Sequence, residues 1–178
     1  MASNADAEAL FAAHQTGLLR YLRRAVGHAE TARDLTQDVF VRIARSGALP
    51  PTDDERRVWI FRIARNLAID HQRRHEVRFA SREALDGGHD TSRAEREAAR
   101  PATQDTSAAI NEALAAIDAL DRDVFLLREA GGLSYAEIAA ACDLTVNAVR
   151  SRIHRARLEL RERLRAPIAA ALQPKTRN

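Results

Sequence analysis

Cysteine is nearly absent from this 178-residue chain, and the single one, Cys142, excludes an internal disulfide and a cysteine-cluster zinc site. Aromatic residues make up only 4%, so any core must be aliphatic and alanine-rich, although 46% hydrophobic content is enough to build one. Glycine and proline are also scarce, with 7 and 5 copies, which favours an all-α chain of long uninterrupted segments. No run of eighteen apolar residues occurs, so no membrane span is expected. The start, MASNADAEAL, lacks a basic stretch followed by an apolar one, so no secretory signal is expected and the chain reads as soluble and cytoplasmic. Lysine is the remaining absence: Lys175 stands alone among 28 basic residues. The cationic chemistry is therefore that of guanidinium, which forks onto phosphates and guanine edges.

What is present is organised by position. The formal charge is only +3. Residues 110–144 carry seven acids against two arginines, whereas 145–165 carry seven arginines against two glutamates. That reversal makes a directed field rather than an even basic coat, although a general arginine bias contributes to the total. At the reversal, Ser134 and Glu137 have capping-box spacing, which predicts a helix from Tyr135 with Ile138, Ala139 and Cys142 on its apolar side. Asp143-Leu144-Thr145 breaks that pattern, and Thr145 can cap a second helix burying Val149, Ile153, Ala156 and Leu160. Asn147, Ser151 and His154 fall on its opposite face, flanked by Arg150, Arg155 and Arg157. This pattern predicts a helix-turn-helix whose second helix enters a DNA major groove; a merely solvated basic helix is the alternative.

Two helical blocks flank a polar stretch. Helical periodicity covers 6–26 and 29–45, with breaks at Gly27 and Gly47. Thr52 and Glu55 form a second capping box, opening a helix expected to run to about His75. Its core face comprises Trp59, Ile60, Ile63, Ala64 and Leu67; its other side carries Arg62, Arg65, Asn66 and Arg73, with Asp70 at the margin. An amide and a carboxylate among arginines suit a nucleic-acid strand with an unstacked base, and equally an ordinary solvated face. Residues 79–106 contain Gly87-Gly88 and Pro101 with charges of both signs, and read as a flexible linker in which Arg93–Arg100 can form a transient helix. Further helices are expected near 107–119, 121–130, 134–142 and 145–165. The expected fold is all-α: two small helical domains, 6–78 and 107–172, on a tether.

Three stretches, ETARDLTQDVFVRI (30–43), RRVWIFRIARNLAIDHQRR (56–74) and SYAEIAAACDLTVNAVRSRIHRARLEL (134–160), together resemble an extracytoplasmic-function (ECF) sigma factor of bacterial RNA polymerase. The resemblance spans both blocks, the first corresponding to sigma region 2 and the second to region 4. It implies that Asp34, Leu35, Gln37 and Asp38 dock on core polymerase at the β′ clamp coiled coil, with Leu35 and Val39 turned to the domain core. The β flap is the second implied contact on core enzyme. Asn66, Asp70, Arg73 and Arg74 match N-x-x-x-D-x-x-R-R, which with Arg62 and Arg65 implies capture of the melted −10 strand. The loop Ser46–Thr52 would help shape the base pocket. In region 4 it implies −35 duplex reading by Asn147, Arg150, Ser151, Arg152, Arg155 and Arg157. Asn147 and Arg150 are the candidates for base edges, and Arg152, Arg155 and Arg157 for phosphates. An anti-sigma factor is an implied partner alongside promoter DNA.

No catalytic constellation, phosphate loop or nucleophile signature is evident, so neither enzymatic activity nor a cofactor is expected. His71 and His75 have a metal-compatible spacing, but neighbouring arginines at 73, 74 and 78 repel a cation, and no metal is expected. Cys142 is expected to be a small core hydrophobe rather than a redox sensor. Two competing readings are a dimeric helix-turn-helix regulator of a palindrome and a helical adaptor, anti-sigma-like, that binds no DNA. The first lacks an obvious dimer helix; the second leaves the polarised α-helix at 145–165 without a purpose.

Overall fold

In the computed structural model the described residues are 4–85 and 102–171, with side-chain surroundings described for 8–77 and 108–165. They form seven helices and no strand: α1 (Asn4–Val26), α2 (Ala29–Arg45), α3 (Asp53–Leu85), α4 (Ala102–Ala115), α5 (Ala119–Glu129), α6 (Tyr135–Cys142) and α7 (Val146–Ala171). The all-α expectation holds. Most of the stretch read as a linker, residues 86–101, lies outside the described residues, including the transient helix over 93–100.

Helix boundaries follow local chemistry. Gly27 takes a positive φ of 77° and its N–H donates to the Arg23 carbonyl, ending α1 where glycine alone is unstrained. Both capping boxes form. The Thr52 hydroxyl oxygen accepts from the Glu55 N–H at 3.3 Å while the Glu55 carboxylate accepts from the Thr52 N–H at 3.2 Å. Ser134 and Glu137 reciprocate at 3.2 and 2.6 Å, so α6 begins at Tyr135 as expected. Thr145 caps α7 by accepting from the Ala148 N–H at 3.1 Å. Between α6 and α7, Asp143 adopts the left-handed conformation (φ 54°, ψ 46°), which a short polar side chain tolerates better than most. One boundary differs from expectation. α3 continues past His75 to Leu85, because 76–85 contains no glycine or proline to stop it.

α1, α2 and α3 pack together around Leu18, Leu22, Leu35, Val39, Ile43, Ile60 and Ala64, all buried. α4 to α7 pack around Leu114, Val124, Leu127, Ile138, Val149, Ile153, Ala156 and Leu160. These two clusters are continuous. α1 meets α5 and α3 meets α6, and Phe61, 1% exposed, lies close beneath Gly131 of the α5–α6 turn. A Cβ on Gly131 would come within 2.9 Å of the Phe61 ring, so that close approach requires glycine. The two helical blocks are thus joined by a packed seam as well as by the chain.

Candidate nucleic-acid interface

The second helix of the helix-turn-helix is anchored before it can read anything. Val149, Ile153, Ala156 and Leu160 are buried, as their spacing predicted. Beside that apolar stripe, Asp121 of α5 is only 2% exposed and accepts from Arg152 Nη1 at 2.6 Å and from Arg155 Nε and Nη2 at 2.8 and 3.0 Å. The Arg155 hydrogen bond is the main reason the Asp121 carboxyl is held below its ordinary pKa, outweighing burial, and Arg152 adds to it. One turn on, Arg157 pairs with Glu129 at 2.7 Å. α5 is itself fixed by Asp118, whose carboxylate accepts from the Leu120 and Asp121 N–H groups.

This bracing leaves one face of α7 open. Val146, Asn147, Arg150, Ser151 and His154 are exposed, and among the described residues none of them makes a side-chain hydrogen bond or ion pair. They recur at three- and four-residue intervals along the first two turns, so they line one side of a helix narrow enough for a major groove. His154 completes this row, and it and Val146 are the exposed residues of the row that the set of expected −35 contacts left out. Of the expected arginines, Arg150 belongs to the open row, Arg155 and Arg157 keep half their side-chain surface exposed at 53% and 52%, and Arg152 is mostly covered at 26%.

The expected −10 residues divide into two groups. Asn66, Asp70, Arg73 and Arg74 are exposed along α3, with Arg74 Nε donating to the Asp70 carbonyl at 3.1 Å. Arg62 and Arg65 instead face the second block. Arg62 donates to the Ala140 carbonyl and lies 3.1 Å from Asp143, while Arg65 lies 3.2 Å from Asp123. Burial pushes the Asp123 carboxyl above its ordinary value despite Arg65 and Arg122 beside it. The neighbouring Tyr21 hydroxyl is wholly buried, without a hydrogen-bond partner, and burial raises its pKa too. Cys142 is half-buried and its thiol is pushed up to about 11, which keeps it protonated and weakly nucleophilic.

On α2, Asp34, Gln37 and Asp38 share an exposed face, whereas Leu35 is 5% exposed and seats the helix on its core. A groove next to Gln37 is lined by Phe11, Leu19, Phe40 and Val41, with Phe11 edge-on to Phe40 at 4.1 Å. Among the described residues no group of three metal-ligating side chains lies together, and no helix is long and apolar enough to cross a membrane. Asp121, Asp123, Arg20 and Arg57 were not singled out from sequence. A signal existed for the two aspartates. Both fall in register with the apolar residues of α5 (121 with Val124, 123 with Leu126 and Leu127), and a carboxylate on an apolar stripe implies a buried cationic partner.

Residues 10–78 match the family model described as Sigma-70 region 2, and residues 107–160 match that described as Sigma-70, region 4. The chain is 32% identical over 160 residues to the RNA polymerase sigma factor YlaC of Bacillus subtilis, covering 88% of this chain and 91% of that protein. It is 35% identical over 156 residues to the ECF RNA polymerase sigma factor SigE of Mycolicibacterium smegmatis, covering 85% of this chain but only 58% of that longer relative. Among solved structures it is similar to CnrH in complex with the cytosolic domain of CnrY, with a TM-score of 0.68, 27% identity, and coverage of 92% of this chain and 90% of that one. The sigma factor RpoE, in complex with the anti-sigma factor NepR from Bartonella quintana, shares the fold, with a TM-score of 0.66 at 22% identity and coverage of 89% and 96%.

Proposed function

The chain belongs to the sigma-70 family as an ECF RNA polymerase sigma factor, and from that premise we propose how its residues direct initiation at particular promoters. The family is one of non-catalytic initiation factors. In this reading the chain lends promoter choice to core polymerase in the cytoplasm and catalyses nothing itself. Residues 6–78 act as region 2, 79–106 as the linker and 107–172 as region 4.

The observation that carries the reading is the division of labour on α7. Arg152 and Arg155 are tied down by a buried aspartate, and the row Asn147, Arg150, Ser151, His154 is left exposed. A helix so braced presents base-reading groups at fixed positions in the −35 major groove, with Arg150 and Asn147 at base edges. Arg155 and Arg157 contact phosphates from their exposed sides, and Arg152 contributes chiefly by holding the helix. On α3, Asn66 and Asp70 lie at the pocket for an unstacked −10 base, and Arg62, Arg65, Arg73 and Arg74 hold the backbone of the opened strand. Grip on that strand offsets the stacking lost on melting, so opening needs no ATP.

Asp34, Gln37 and Asp38 meet basic residues of the β′ clamp coiled coil, with Leu35 supporting them from below, and region 4 meets the β flap. An anti-sigma factor is a further partner, a reading supported by the likeness to CnrH, which was solved with the cytosolic domain of CnrY. The deciding experiment is in vitro transcription with purified bacterial core polymerase, this protein and a genomic promoter library. The expected result is new start sites sharing −35 and −10 sequences at one spacing. Core that gains no initiation, while the protein alone protects a duplex palindrome, would replace this reading with that of a stand-alone regulator.

A further inference from the structure

The end of the first block where α1 turns into α2 carries a second concentration of arginine. Between His14 and Arg33 stand four arginines, Arg20, Arg23, Arg24 and Arg33, against one acid, Glu30. On α1, Arg23 and Arg24 follow Arg20 by three and four positions, so the pair shares its side of the helix about 5 Å further along the axis. Arg33 comes from the second turn of α2, which the turn at Gly27 brings back alongside α1. All four line a single cleft of about 790 Å³, to which α4 contributes Asn111.

The fold leaves most of these cations unengaged. Arg23, Arg24 and Arg33 are exposed, and among the described residues none of them makes a side-chain hydrogen bond or ion pair. Arg20 donates through Nε to the Ala130 carbonyl at 2.6 Å, and its two Nη atoms make no hydrogen bond among the described residues. The negative end of the α1 dipole accounts for Arg23 and Arg24, which stand in its last turn. It does not account for Arg33, which stands toward the positive end of α2, where a cation gains nothing from the dipole. Four like charges around one hollow repel one another, and an anion seated among them relieves that repulsion.

The lining points to the class of anion. A planar guanidinium forks onto phosphate oxygens through two N–H groups, and several guanidiniums about one helical turn apart suit successive phosphates better than a lone carboxylate. The Thr16 hydroxyl and the amides of Gln15 and Asn111 add uncharged groups able to hydrogen-bond a sugar or a base edge. The cleft volume is also that of a small-molecule site, about 300–1,000 Å³. We propose that this cleft binds adjacent phosphates of a polyphosphorylated ligand, at a site separate from the −10 and −35 surfaces. Two sources present that chemistry: a nucleoside polyphosphate seated in the cleft, and the phosphodiester backbone of a duplex laid across it. The inference uses neither DNA-reading helix, so it stands or falls apart from the sigma assignments.

The test is calorimetric titration of the full chain, without core polymerase, with guanosine triphosphate, inorganic tripolyphosphate and a short duplex of non-promoter sequence. Wild type is compared with Arg23→Ala/Arg24→Ala/Arg33→Ala. A control, Arg42→Ala/Arg45→Ala/Arg161→Ala, removes the same charge from exposed positions outside the cleft. The single exposed change Arg33→Glu gives the same reading should the triple variant fail to fold. A nucleoside polyphosphate site gives binding of both free phosphates that falls about tenfold or more in the cleft variant and less than about twofold in the control. A backbone site gives no binding of free phosphates, but a duplex affinity whose log–log slope against salt flattens by about 2–3 in the cleft variant and is unchanged in the control. Cleft-dependent binding of both kinds of probe, each displacing the other, supports the shared phosphate chemistry. Binding unchanged in the cleft variant, equal losses in the two triple variants, or no binding of any probe by wild type would each overturn the proposal.

Discussion

α3 and α7 carry the two arginine-rich faces of the molecule, and they engage those arginines in opposite ways. On α7 the acid that holds Arg152 and Arg155 belongs to the same block, so the helix is braced and its reading row stays open. On α3 the acceptors for Arg62 and Arg65 belong to the other block, so satisfying them joins the two blocks. Two aspartates separated by one residue on α5 mark the difference. Asp121 faces α7 and its carboxyl is held below the ordinary value by its arginine hydrogen bonds; Asp123 faces α3 and is pushed above it by burial. Charge counted along a sequence therefore says where guanidiniums are, and only the fold says which are available.

The largest effect that would break this comparison is expected at Asp121. Its replacement by alanine leaves Arg155 without its acceptor and Arg152 with only the more distant Asp118 at 3.8 Å, and loss of hydrogen bonds between charged groups there should destabilise the protein by about 2–3 kcal/mol in denaturant unfolding. Because the folded-state pKa of Asp121 is depressed, its contribution is fully present above the ordinary carboxylate value and is lost as pH falls through the folded value. The alanine variant should therefore show a shallower loss of stability at acid pH. A change below about 0.5 kcal/mol, within the range of ordinary surface substitutions, would mean that the brace is ornamental.

Next in size, Arg150→Ala and Arg152→Ala should separate reading from bracing. Removing Arg150 should cost about 1–3 kcal/mol of discrimination at one −35 base pair with no change in unfolding midpoint. Removing Arg152 should lower the midpoint and weaken all −35 sequences alike. Footprints of Arg150→Ala holoenzyme identical to wild type at −35 would withdraw the base contact. A smaller effect is expected for Asp123→Asn, about 1 kcal/mol, because the amide keeps a hydrogen-bond acceptor for Arg65 and burial already works against the Asp123 charge. Since the folded-state pKa of Asp123 is raised, protonation there adds stability at low pH that is lost as pH rises through the folded value. The asparagine variant should lose that part of the pH dependence. A cost as large as that of Asp121→Ala would place the two ion pairs on an equal footing.

Much of this was legible from residues alone. The caps at Thr52, Ser134 and Thr145, the buried stripe Val149–Leu160 and the exposed acidic face of α2 all depend on neighbours within a few positions, where spacing determines geometry. The reach of α3 to Leu85 was missed because apolar periodicity ends before helical propensity does. The seam was missed for a different reason. Phe61 and Ala68 stand three and four residues from Ala64, so spacing alone allowed them on the core face, but the packing of Phe61 against Gly131, seventy positions away, has no local signal. Likewise nothing local distinguishes Arg62 and Arg65, which find acceptors across the seam, from Arg73 and Arg74, which stay exposed.

The finest test of the comparison lies at two glycines facing one another across that seam. A Cβ at Gly17 of α1 would meet the Phe61 ring at 3.6 Å and the Gly131 carbonyl at 3.7 Å, both ordinary contacts, whereas one at Gly131 would meet the Leu127 carbonyl at 2.7 Å. Gly17 is also interior to a helix, where alanine is favoured over glycine by about 0.8–1 kcal/mol. Gly17→Ala should therefore stabilise the protein by about 0.5 kcal/mol once some contact adjustment is allowed, and Gly131→Ala should destabilise it. The sign is informative beyond its size. If Gly17→Ala stabilises in unfolding, the seam has room on the α1 side and its tightness resides in the α5–α6 turn. If it instead destabilises, the first block is fitted to the second as closely as α7 is to α5, and the contrast between the two arginine-bearing helices is one of partner and not of tightness.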